Sequence, residues 1–115
     1  MSEEKDLWNK GNNLLSLYYY KYKTEFLGVD ESQLAEIVGV SVTIFKKHSS
    51  NFRRLQVVTE KQSEKAQAQA SVYEKYGNLK RYELFKIIKE ETLLDEMISK
   101  RLLELNYPHR NLRKL

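Results

Sequence analysis

Lys46, Lys47, Arg53 and Arg54 are the only charged residues between Ile37 and Thr59. Ser41, Thr43 and Ser50 stand among them. Ammonium and guanidinium groups interleaved with short hydroxyl side chains are suited to binding anions, with cations neutralising phosphate oxygens and hydroxyls supplying directional hydrogen bonds. The distribution of charge around this stretch strengthens the reading. From Met1 to Glu36 four lysines stand against seven acids, whereas the following segment is free of acid and the tail adds Arg110, Arg113 and Lys114. A net charge of +4 and a pI near 9.2 are modest by themselves. Segregation of the positive charge points to an anionic partner more strongly than the total does.

The elements that must position these groups can be read from the punctuation around them. Gly28 interrupts the preceding pattern, Asp30 or Ser32 is placed to cap a new helix, and Leu34, Ile37 and Val38 give that helix an apolar face. Ala35 is small where a second helix would cross. Gly39 can take the positive φ that ends a helix sharply, and Ser41 can cap the next one. In that second helix Val42, Phe45, Ser49, Phe52 and Leu55 share one face, while Thr43, Lys46, Lys47, Ser50, Arg53 and Arg54 share the other.

The run Leu34, Ala35, Glu36, Ile37, Val38, Gly39, Val40, Ser41 resembles the helix-turn-helix of bacterial and phage DNA-binding proteins. Ala35 matches the family's small residue, Gly39 its turn glycine, Val40 the apolar plug, and Ser41 the polar start of the second helix. The resemblance spans about Gln33 to Gln56 and implies a recognition helix in the major groove of double-stranded DNA. Ser41 to Lys47 would lie deepest, with Thr43 and Ser50 as candidate base contacts and Lys46, Lys47, Arg53 and Arg54 on phosphates. The chain departs from the family at His48, where a second aliphatic residue is usual. A purely structural hairpin with a solvated basic face is the competing reading, because any short helical hairpin shares the small residue and the glycine.

An aromatic first helix, expected from about Glu3 to Lys23, would complete a three-helix unit similar to Myb-like and homeodomain-like bundles. Trp8, Gly11, Leu15, Tyr18 or Tyr19, Tyr22 and Phe26 recur at helical spacing. The cluster LYYYKYK, Leu17 to Lys23, interleaves rings with lysines as a base-stacking platform would. Packing of the core or of a dimer seam is the expectation for such a stripe.

The expected organisation is a helix-turn-helix region over 1–58, a helical linker and oligomerisation region over 59–106, and a basic tail over 107–115. The stretch TEKQSEKAQAQASVYEKYGN forms helix readily, but Thr59, Gln62, Ala66 and Gln69 are too polar for a coiled-coil seam, so a largely exposed helix ending at Gly77 is expected. Leu79 to Leu105 is apolar around nearly its whole circumference, and Thr92 with Asp95 resembles a capping box that divides it. Either self-association or folding back over the first helix would cover it. The tail residues Arg110, Arg113 and Lys114 are possible DNA contacts, though a frayed basic terminus is the commoner case.

The limits on class are firmer. The 115 residues, 41% hydrophobic and 31% charged, suit one small domain. A mean hydropathy of -0.66, one proline, four glycines and few alternating β-branched runs point to an all-α fold. With no cysteine there are no disulfides and no thiolate chemistry. No apolar run approaches the roughly 20 residues of a membrane span, and the acidic start lacks a signal-peptide core, so a cytoplasmic location is expected. His48 and His109 stand apart with no carboxylate motif, and no phosphate-binding glycine loop is present. No enzyme activity, metal or cofactor is expected. The composite expectation is a small double-stranded-DNA-binding protein, a bacterial or phage regulator acting as a homodimer. Two alternatives are a DNA-packaging or replication-accessory subunit, and a helical adaptor that binds a protein partner through its C-terminal helices.

Overall fold

The computed structural model describes residues 7–100 and 102–104, and all regular structure among them is helical, as the sequence predicts. In chain order these are α1 (Lys10–Tyr22), α2 (Glu31–Val38), α3 (Val42–Ser50), a single 3-10 turn (Asn51–Arg53), α4 (Glu64–Tyr76) and α5 (Arg81–Glu91). Residues 94–100 and 102–104 are also helical. No helix among the described residues is long and apolar enough to cross a membrane.

The hub is α1, against which α2, α3, α4 and α5 all pack. Its sequence suits this role, since buried Leu14, Leu15, Leu17, Tyr18 and Tyr19, together with buried Asn13 and Ser16, cover nearly the whole circumference. Each large apolar side chain so buried contributes about 1.5–3 kcal/mol. The tyrosine rings are committed to packing. Tyr19 meets Phe45 edge-on at 5.5 Å, and Tyr20 lies 5.8 Å from Phe52, so core packing rather than an open stacking platform accounts for the cluster.

The helix predicted from Glu3 to Lys23 is interrupted among the described residues: Leu7 is helical, Trp8 and Asn9 are not, and α1 starts at Lys10. Asn9 is extended and its side chain accepts from the Asn12 N–H at 2.9 Å, which caps α1 at Lys10. Gly11 is required two residues on. A Cβ there would stand 2.5 Å from the Glu91 carbonyl oxygen, so the start of α1 and the end of α5 touch only because no side chain intervenes.

The predicted exposure of the glutamine- and alanine-rich helix does not hold. Gln69, Ala70 and Val72 of α4 are buried, and Val72 belongs to the same core as Leu14, Phe45 and Ile88. The polar position is tolerated because the Gln69 amide donates to the His48 carbonyl at 2.7 Å, a partner that periodicity cannot reveal.

In the apolar C-terminal part, Leu84, Ile88 and Leu94 are buried, while Phe85, Ile87, Met97 and Ile98 are half-buried against the core. Much of this surface therefore folds back. Leu93, Leu102 and Leu103 are exposed. Thr92 divides the region as expected, though through a tighter device than a capping box: its hydroxyl donates to Ile88 O at 2.7 Å and accepts from the Leu94 N–H at 3.1 Å.

Candidate nucleic-acid interface

The α2–α3 connection shows why this segment folds as it does. At the start of α2, Asp30 accepts from the Gln33 N–H at 2.9 Å while the Gln33 side chain accepts from the Asp30 N–H at 3.0 Å, a reciprocal cap. At its end Gly39 adopts φ +96°, and the N–H groups of Gly39 and Val40 both bond the Ala35 carbonyl. Ser41 is extended, and its hydroxyl accepts from the Ile44 N–H at 3.2 Å to begin α3. Ala35 is buried at the approach of the two helices.

Two faces of α3 result. Phe45, His48 and Ser49 point inward, and the Ser49 hydroxyl donates to Ser16 O on α1 at 2.6 Å. Thr43, Ile44, Lys46, Lys47 and Ser50 are exposed, as are Ser41 before the helix and Arg53 and Arg54 after it. The seven predicted site residues therefore lie on one continuous segment and all reach solvent. They are not chemically equivalent. The Ser41 hydroxyl serves as a cap, the Ser50 hydroxyl donates to Lys47 O at 2.7 Å, and Arg54 donates to the Asn51 side chain at 3.3 Å. The helix ends at Ser50, so Phe52 reaches the core from the 3-10 turn and Arg53 and Arg54 leave α3's own axis.

His48 explains its departure from the helix-turn-helix pattern. Its ring stacks on Trp8 with centroids 3.5 Å apart and planes inclined by 7°. Asn13 donates through Nδ2 to Trp8 O, leaving its Oδ1 to accept from His48 Nε2 at 2.7 Å. This network assigns the proton to Nε2, and among the described residues His48 Nδ1 has no hydrogen-bond partner. Burial, reinforced by the charge of Lys65, pushes the imidazole down to about 3, so His48 is neutral at physiological pH. It does the work of an apolar core residue.

The cations of α3 acquire a neighbour that the site prediction omitted. Lys23, just past the end of α1, joins Tyr19, Tyr20, Lys46, Ser50 and Arg53 around a groove of about 350 Å³ between α1 and α3. The Lys23 ammonium lies 5.1 Å from the centre of the Tyr19 ring. The interleaved lysines of the tyrosine cluster carried this signal: Lys23 follows Tyr20 by three residues and Tyr19 by four, and its N–H still bonds the Tyr19 carbonyl, so it shares their side of the helix. One acid borders the groove. Glu31 lies 3.8 Å from Lys46 and accepts the Tyr19 hydroxyl. Burial, then this carboxylate, raises Tyr19 to about 12. An exposed pair of this kind contributes only about 0–1 kcal/mol, so it tempers the charge of Lys46 without cancelling it.

Arg110, Arg113 and Lys114 lie outside the described residues. Among the described residues no group of three or more His, Asp or Glu side chains is arranged to hold a metal ion. Comparison with protein-family models, with curated proteins and with solved structures finds no match to this chain.

Proposed function

We propose that the protein binds double-stranded DNA through α3, using α2, the Gly39 turn and α3 as a helix-turn-helix with α1 packed across the pair. The observation that carries this reading is the exposure of Thr43, Lys46, Lys47, Ser50, Arg53 and Arg54 along a segment in which no acid occurs from Ile37 to Thr59. A rigid helix held by Phe45, His48 and Ser49 would present these groups to the major groove without further ordering. Lys46, Lys47, Arg53 and Arg54, joined by Lys23, would neutralise phosphates. Thr43 and Ser50 would face bases.

The biological role we infer is that of a homodimeric transcription regulator, since pairing two copies would present two recognition helices to successive turns of the duplex. Exposed Leu93 and Leu103 are the apolar residues such a seam would use. Sedimentation measures this directly: a dimer supports the regulator, and a ring supports a packaging subunit.

The interface is tested by fluorescence anisotropy with a labelled random duplex at low salt. Lys46→Ala with Lys47→Ala should weaken binding by at least about tenfold and leave the helical circular dichroism unchanged. Equal affinity in the double variant would remove this face from the interface.

A further inference from the structure

Toward the other end of α1 from the basic groove, the start of α1 and the C-terminal half of α4 line an open cavity of about 670 Å³. That volume lies within the roughly 300–1,000 Å³ range typical of small-molecule sites. Trp8 and Val72, both buried, form an apolar floor, and Tyr76 forms an aromatic wall. Lys10 and Lys75 stand at the rim, each with its ammonium 5.6 Å from the centre of the Tyr76 ring. Lys10 also pairs with Glu91 at 3.8 Å, which leaves Lys75 as the better placed cation for a ligand. Asn13 and Ser71 add polar groups to a lining otherwise dominated by carbon.

Apolar and aromatic walls with cations confined to the rim select a ligand that is flat and hydrophobic at one end and anionic at the other. A neutral aromatic compound would leave the lysines without a counter-charge. A phosphate or small polar anion would leave the floor uncovered.

The walls of the cavity are also the groups that hold α3. Trp8 stacks on His48, Asn13 accepts from His48 Nε2, and Gln69, next to the lining residue Ala68 on α4, donates to the His48 carbonyl. A ligand that shifted Trp8 or α4 would act first on His48, in the last turn of α3.

We propose that this cavity is a binding site for a small aromatic carboxylate, its ring against Trp8 and Tyr76 and its carboxylate on Lys75, and that occupancy is transmitted to α3 through His48. The transmission to DNA rests on the reading of α3 as the recognition helix; the binding does not.

Trp8 is the only tryptophan, so a proton–nitrogen correlation spectrum holds a single indole signal, from the floor of the cavity. Titration with naphthoate should shift that signal saturably, and naphthalene methanol, which lacks the charge, should bind at least about tenfold more weakly. Lys75→Glu alters an exposed side chain and should weaken naphthoate to the same degree, while Ser71→Phe, also at an exposed position, should block it by filling the cavity. No saturable shift, or equal affinity in Lys75→Glu, would overturn the site. Saturating naphthoate should also change the affinity for a labelled duplex by several-fold, and an unchanged affinity would overturn the transmission. If the duplex does not bind at all while naphthoate still moves the Trp8 signal, the DNA reading fails and the cavity stands.

Discussion

The two faces of α3 are made from the same nine residues and are held to opposite standards. Inside, every group answers to a specific neighbour: Phe45 to Tyr19, Ser49 to the Ser16 carbonyl, His48 to Trp8 and Asn13. Outside, Thr43, Lys46, Lys47 and Ser50 are exposed, and the contacts among them are peripheral, Lys46 with Glu31 and the Ser50 hydroxyl with the Lys47 carbonyl. The difference teaches that the groups that hold the fold and the exposed groups of the proposed interface lie on separate faces of one short helix. Changes on one face should move folding and leave binding chemistry alone, and changes on the other should do the reverse.

The largest expected effect lies on the inner face. Phe45→Ala, at a fully buried site, should cost about 3–5 kcal/mol in urea unfolding, whereas Lys47→Ala should stay within about 0.5 kcal/mol. Similar costs for the two would break the comparison. Next in size is Ala35→Leu, which forces a larger side chain between α2 and α3 and should cost about 1–3 kcal/mol from overpacking, read as a lower midpoint in the same experiment.

His48 makes the inner face sensitive to acid. Its folded-state value of about 3 lies below the ordinary 6.5, so the unfolded chain takes up the proton first as pH falls. The contribution of neutral His48 is present above about 6.5 and is lost progressively toward 3, at no more than about 1.4 kcal/mol per pH unit. Urea midpoints measured across this range for the natural chain and for His48→Gln should converge as pH falls. Parallel curves would contradict the assignment. The smallest effect sharpens the outer face. Glu31→Gln removes the acid beside Lys46 and should strengthen duplex binding by about twofold, since an exposed pair is worth about 0–1 kcal/mol.

Much of this was legible where the determinants are local. Ala35, Gly39 and Ser41 do what their types predict, because a small side chain at an approach, a positive φ and a cap are each properties of one residue and its near neighbours. Helical spacing placed Phe45 and Ser49 inside and Thr43, Lys46, Lys47 and Ser50 outside, but it left His48 unassigned and carried the helix past its end at Ser50 to Phe52, Arg53 and Arg54. What escaped the sequence depends on distant partners. The histidine in an aliphatic position became intelligible only with Trp8 stacked upon it, and Gln69, too polar for a seam by its type, is buried because it finds the His48 carbonyl. Lys23 shares a side of α1 with Tyr19 and Tyr20 by spacing, but that this side meets Lys46 and Arg53 depends on how α1 packs on α3. The break at Trp8 and Asn9 within the predicted first helix escaped for a smaller reason: Asn9 is an ordinary polar residue within a helical pattern until its side chain turns to cap.

The central claim, that the outer face of α3 recognises phosphate in duplex DNA, is tested most directly by the salt dependence of affinity for a random duplex. With four to five cations engaged, the logarithm of the affinity should fall with the logarithm of salt at a slope of about -4, and removal of Lys46 and Lys47 should flatten it by about 2. A slope near zero, or a slope that the double substitution leaves unchanged, would contradict the account.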